Sequence, residues 1–337
     1  MFASVVTAAG RGAGQNRETR GTGTCGDPSI ARMNRALLVA APMLAFAAFG
    51  SACVVAVDSQ GQIVRDEKRF TVTGTPDLNL TTFDGAIEIQ AWDKPDVAID
   101  VEKRGATREV VDGLEIVSSQ QGNRIELEVK RPRNEAYSGF GFHQSASARL
   151  IVSVPREANV TARSGDGSIT VERVNGRLEL RTGDGSIRAS DVGGDLALDT
   201  GDGSVTVEGA RGRLNVDTGD GGVTISGRLT SVKLHTGDGS IVYRAEAGTE
   251  MSDNWEMTTG DGSVTLYLPN GFNAELDAHT GDGSILNDLS LAADQVERND
   301  REGDRESERR TLRGRLGNGG RLIRVRTGDG SIRFRPS

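Results

Sequence analysis

Between residues 161 and 290 apolar and polar residues alternate in short runs. One stretch gives Ile187, Ala189 and Val192, then Leu196, Leu198 and Thr200. The stretch before it gives Ile169, Val171, Val174, Leu178, Leu180 and Thr182, and the one after it Val205, Val207, Ala210, Leu214, Val216 and Thr218. A period of two places these side chains on one face of an extended strand. The opposite face is polar, with Glu179, Arg181, Ser186, Arg188, Asp195, Asp199, Asn215 and Asp217. Each stretch therefore predicts two short strands, neither of which can bury its inner face alone.

The tripeptide Gly-Asp-Gly punctuates these strands. It is centred on Asp166, Asp184, Asp202, Asp220 and Asp238, each 18 residues after the last, and returns less regularly at Asp261, Asp282 and Asp329. A fixed short period marks a chain that stacks one small unit on the next and buries a shared core between neighbours. One turn of each unit is the Gly-Asp-Gly; the other is expected at a looser glycine site, Gly176, Gly194, Gly212 and Gly227. The fold class that follows is all-β: a parallel β-solenoid (β-helix) of about 18-residue coils, two short strands per coil, with an irregular β cap at its N-terminal end. With 45 glycines in 337 residues, long helices between Phe70 and Asn287 are disfavoured.

Residues 161–337 form the repeat region, with a charged insertion at 292–315 containing VERNDREGDRESERR. That insertion reads as a solvated loop or a short charged helix, after which the pattern resumes at Leu316. Residues 66–160 read as the irregular cap and first coils, with a distinct small β domain as the alternative. Phe83-Asp84-Gly85-Ala86-Ile87 resembles a worn copy of the repeated turn, and Gln121-Gly122-Asn123 predicts a hairpin.

Composition breaks near residue 58. The run ALLVAAPMLAFAAFGSACVVAV at 36–57 follows Arg32 and Arg35, and describes a secretory signal starting at Met33. Residues 1–32 are then a leader upstream of the true start, 33–53 a signal segment and 54–65 a linker. Cys53, in Gly50-Ser51-Ala52-Cys53, stands where a lipoprotein would be acylated. Ordinary cleavage giving a soluble product, or retention of the apolar run as a membrane anchor, are the alternatives. All three export the repeats. Cys25 lies in the leader, so no internal disulfide is expected in the repeats.

Candidate chemistry is sparse. Stacking would bring Asp166, Asp184, Asp202, Asp220 and Asp238 into one file, where like charges repel by below about 1 kcal/mol per neighbour in water. The carboxylates are expected to cap backbone N–H groups of their own turns, where Asp between two glycines suits a tight bend with positive φ. The sharper reading is a cation ladder binding calcium weakly. A tight calcium site of the RTX type does not fit, because the aspartate stands three residues before the aliphatic, not two, and each turn offers few oxygens. No catalytic residues and no cofactor are expected. His235 and His279 occupy a slot held elsewhere by Arg163, Arg181, Asp199 or Asp217, a solvated surface position. Aromatic residues make up only 4%, against the aromatic grooves of sugar-cleaving β-helices. A net charge of −8 argues against nucleic acid. A basic cluster at Arg321, Arg324, Arg326, Arg333 and Arg335 reads as the solvent face of the last strands, or as a contact for anionic envelope polymers.

With Val154-Pro155-Arg156-Glu157-Ala158-Asn159-Val160, the serial TGDGSI turns and Leu316-Gly317-Asn318-Gly319-Gly320 before the last turn, residues 66–337 resemble a bacterial family of adhesin-like proteins of unknown molecular function. The resemblance implies an exported β-solenoid of the cell envelope, and says little of a ligand. The function expected is a non-enzymatic adhesin or scaffold presenting a repetitive surface to envelope polymers or proteins. It would be held at the membrane through a lipid or its N-terminal segment. An accessory or sensor component of the envelope stress response, and a carbohydrate-active β-helix enzyme, are the alternatives.

Overall fold

The computed structural model describes residues 54–58, 61–131, 146–291 and 310–337. Cys25, Cys53, His143 and the leader lie outside the described residues.

The alternating stretches form strands as the pattern predicts. In the regular region these are β9 (Asn159–Ser164), β10 (Ile169–Glu172), β11 (Asn175–Thr182), β12 (Ile187–Ser190) and β13 (Gly193–Thr200). The longer β14 (Val205–Thr218) and β15 (Val223–Thr236) follow. At each step the register places a residue on its counterpart 18 positions on: Ile169 beside Ile187 beside Val205, and Leu178 beside Leu196 beside Leu214. These pairings are parallel, and the inward residues lie in one core, with Ile187, Ala189, Val192, Leu196 and Leu198 all buried.

The second turn is not where the looser glycines predict it. Gly176, Gly194 and Gly212 lie inside β11, β13 and β14. The chain bends three residues earlier, at Arg173, Asp191 and Gly209, with φ of 59°, 52° and 64°. In β14 and β15 the bend is absorbed as an irregularity in the pairing, so one strand crosses both faces. The glycines instead serve close approach: a Cβ on Gly194 would stand 2.9 Å from the Gly176 carbonyl carbon.

Before the regular region stand β1 (Val54–Asp58), β2 (Gly61–Thr71), β3 (Asp77–Thr82), β4 (Ile87–Trp92) and β5 (Asp96–Gly105). After them come β6 (Glu115–Gln121), β7 (Arg124–Lys130) and β8 (Ser147–Pro155). Residues 54–65 are thus largely strand, where the sequence reads as a linker. A single helical turn, α1 (Arg108–Asp112), is capped by Thr107, whose Oγ1 accepts from the Val110 N–H at 3.4 Å. The hairpin at Gly122-Asn123 joins β6 and β7 as expected.

The last strands are β16 (Ile241–Ala245), β17 (Trp255–Thr259), β18 (Val264–Leu268), β19 (Ala274–Thr280) and β20 (Ile285–Asn287). They are followed by β21 (Thr311–Leu316), β22 (Leu322–Thr327) and β23 (Ile332–Pro336). Residues 311–315, expected in the charged insertion, belong to β21; the rest of that insertion at 292–309 lies outside the described residues.

The sheet is mixed, where the sequence reads as a parallel solenoid behind an irregular cap. Pairings β1–β2, β2–β5, β5–β8 and β6–β7 are antiparallel, as is β19–β21 toward the other end. Chain order also departs from spatial order. β3 lies between β7 and β9, and β4 between β8 and β10. The last rung of the chain is internal: β22 sits between β17 and β19, and β23 between β18 and β20. Among the described residues no helix is long and apolar enough to cross a membrane.

Candidate functional site

Every Gly-Asp-Gly turn stands on one edge of the stack. The intercalated last rung brings Asp329 between Asp261 and Asp282, and the worn turn adds Asp84 at the other end. The five regular aspartates are exposed and in register, as are those of the three later turns. Their registration is visible in one repeated geometry. A Cβ placed on Gly201, Gly219, Gly237 or Gly260 would lie 3.2–3.4 Å from Oδ1 of Asp184, Asp202, Asp220 or Asp238 respectively.

The carboxylates do not cap these turns. Asp166, Asp184, Asp202, Asp220 and Asp238 make no side-chain hydrogen bond or ion pair with another described residue. Among the described residues positive φ outside glycine occurs at Arg173 and Asp191, not at the turn aspartates. The capping group is the hydroxyl residue before each turn, Ser164 before the first and a threonine before the others. Thr200 Oγ1 donates to the carbonyls of Gly183 at 3.3 Å and Gly185 at 2.8 Å, both in the turn beneath. Thr182, Thr218, Thr236, Thr259, Thr280 and Thr327 repeat the pattern. The same hydroxyl accepts from its own turn, as Gly239 N to Thr236 Oγ1 at 3.1 Å shows. A buried hydroxyl that both donates and accepts satisfies polar backbone water cannot reach. This frees the aspartates to point outward.

Among the described residues no group of three or more His, Cys, Asp or Glu side chains is arranged to hold a metal ion. The aspartates form a file one carboxylate wide. His235 and His279 fall on an outward row with Asp217, Thr258 and Arg326, and His279 Nδ1 lies 3.0 Å from Thr311 Oγ1. The basic cluster is not brought into one patch. Arg324 and Arg326 are on β22, Arg333 and Arg335 on β23, and acids stand among them. Arg326 Nη2 contacts Asp277 Oδ2 at 2.6 Å, and Arg335 Nε is 3.8 Å from Asp288. Burial raises the Asp277 pKa, but the hydrogen bond and charge of Arg326, with Arg313 beside it, outweigh this and leave it below the usual carboxylate value.

On the edge opposite the aspartates the surface is more varied. A groove of about 670 Å³ runs over the close-approach glycines, with Arg177, Asp195 and Arg213 along it. A cleft of about 910 Å³ lies among residues 247–251, 269–273 and 319–321, next to the packed rings of Tyr243, Trp255 and Phe272. A third, of about 350 Å³, is lined by Trp92, Arg156 and Arg173. Neither composition nor spacing along the chain signals this last grouping, whose members come from three separate strand ends.

No curated protein matches the chain. Solved structures resemble it at low identity. A candidate adhesin from Bacteroides fragilis is 10% identical, with a TM-score of 0.38 over 80% of this chain and 96% of its own. A candidate adhesin from Parabacteroides merdae is 13% identical, with a TM-score of 0.35 over 80% and 95%. A candidate lipid-binding protein from Parabacteroides distasonis is 11% identical, with a TM-score of 0.39 over 80% and 96%. The repeated turns and the stacked β rungs from β3 onward fall inside a family model spanning residues 76–334, and by that match the chain belongs to the Toastrack DUF4097 family, whose function is unknown.

Proposed function

We propose that this protein is a non-enzymatic, exported β-solenoid of the cell envelope, an adhesin or scaffold that offers a repeated surface to envelope polymers or proteins. The observation that carries the reading is the edge of exposed, registered aspartates, held outward because threonines cap the turns beneath them. Such an edge presents one chemical group at a strand spacing of about 4.8 Å, which suits a repetitive partner through many weak contacts. A weak, shared row of calcium ions along the edge belongs to the same proposal. So does anchoring through an acylated Cys53, on which the signal-like run at 33–53 bears.

The test is deletion of residues 183–218, two whole periods, which keeps the rungs above and below in register. Binding of the purified protein to cells or isolated envelope is expected to fall while the thermal transition remains cooperative. Undiminished binding by the folded deletion would refute multivalent presentation. Globomycin treatment or palmitate labelling, with Cys53→Ala as control, is expected to show acylation lost in the variant; an unlabelled wild-type protein removes the lipid anchor from the proposal.

A further inference from the structure

The cleft at Trp92 is built from the ends of three adjacent strands. β4 lies between β8 and β10, so Trp92 at the end of β4 stands between Arg156, just past β8, and Arg173, just past β10. At one strand spacing on each side, the two arginine backbones are about 10 Å apart. Gln90, Ala91, Asp93 and Ser153 complete the lining. Neither arginine forms an ion pair with a described residue. The Lys94 ammonium stands 4.6 Å from the indole centroid and adds a third cation beside the cleft. The indole N–H is already used, donating to the Asp96 carbonyl at 2.9 Å, and Lys94 stands over one face, so what the ring offers a ligand is its other face rather than a hydrogen bond.

A second observation concerns backbone strain. Arg173, Asp191 and Gly209 occupy the same bend in successive coils, all with left-handed φ. Glycine adopts that conformation freely, and an arginine there is strained. Folding alone is therefore better served by glycine at position 173. Strain of this kind collects at binding sites, where a side chain is kept for what it contacts.

From these features we propose that the cleft is a binding site for an acidic saccharide, a uronate unit of an envelope or surface polymer. The two arginines that line the cleft suit its carboxylate. The indole suits the apolar face of the sugar ring, and Gln90, Asp93 and Ser153 suit its hydroxyls. This deepens the envelope-binding reading above and rests on it. Phosphate alone would use the arginines but leave the indole and the hydroxyl partners without a role.

The full chain is titrated with tetragalacturonate and followed by tryptophan fluorescence, since Trp255 is fully buried and Trp92 is not. Saturable quenching is expected, absent in Trp92→Phe, and weakened at least tenfold when a neutral tetrasaccharide replaces the uronate. Arg173→Gly is the decisive variant. It should weaken affinity at least tenfold while leaving Tm equal to or above that of the wild type. Arg156→Gln, on the other wall, should weaken affinity similarly. Unchanged affinity in Arg173→Gly, equal binding of the neutral sugar, or full competition by equimolar inorganic phosphate each overturns the site. If these fail while the protein still binds envelope, the general reading stands; if it binds no envelope either, both fall.

Discussion

Gly203→Ala probes the feature on which the stack depends. Gly203 is the second glycine of its turn, buried against the rung beneath. A Cβ there would stand 2.6 Å from the Gly185 carbonyl carbon and 2.7 Å from Thr200 Oγ1, and nearer still to the Gly185 oxygen. Carbon atoms pack at about 3.5 Å, so the two turns would have to part by at least roughly 0.9 Å, and the nearer oxygen demands more. Overpacking of this order costs about 1–3 kcal/mol. The Thr200 hydroxyl bond to Gly185, 2.8 Å long, would be stretched or lost, adding about 1–3 kcal/mol for a buried acceptor left unsatisfied. Against this, alanine restricts the unfolded chain and returns about 0.4–1 kcal/mol. The net expectation is a loss of about 1–5.5 kcal/mol in equilibrium urea unfolding.

Gly222→Ala is the matched control. Gly222 fills the slot held elsewhere by Ser186, Ser204 and Ser240, and the nearest atom to its Cβ would be the Ser240 carbonyl oxygen at 3.8 Å. It should stabilise the protein by about 0.4–1 kcal/mol. If Gly203→Ala lies within 1 kcal/mol of the wild type, or Gly222→Ala is as harmful, close backbone stacking at the turns is refuted.

Three further outcomes are expected. Asp202→Asn should change stability by no more than about 0.5 kcal/mol, since its exposed carboxylate bonds nothing in the turn; a loss above 1 kcal/mol in urea unfolding would restore the capping role to aspartate. The lowered pKa of Asp277 means that its stabilisation is present above the unfolded value of about 3.9 and is lost as pH falls through the folded value. Asp277→Asn should therefore flatten the acid limb of a Tm-versus-pH curve and cost about 1–2 kcal/mol at pH 7, and an unaltered limb would count against the Arg326 pairing. Truncation after residue 320 removes an internal rung rather than an end, so amide exchange should rise in β17–β20 as well as at the new terminus, while the β19 amides bonded to β21 stay protected; protection retained by the β17 and β19 amides that face β22 would contradict the intercalated order.

Much of this architecture was legible in the chain because burial in a strand has a period of two and the turn a period of 18. Ile187, Leu196 and their counterparts needed no coordinates to be placed inside, and the aspartates needed none to be placed in a file. The threonine caps were within reach too: Thr182, Thr200, Thr218 and Thr236 recur at the inward parity, and a polar residue kept inside implies a partner. What stayed hidden was whatever depends on atoms distant in sequence. The bend at Arg173 and Asp191 carries no glycine, so its left-handed backbone follows from rung geometry rather than residue type. The intercalation of β22 and β23 reverses chain order, because a rung pairs with whichever edge leaves fewest backbone groups unpaired, and local pattern does not rank those edges. Trp92, Arg156 and Arg173 likewise share no spacing. Periodicity determined what each rung is made of and which way its residues face; only the packing of rungs decided their order and which side chains meet at the ends.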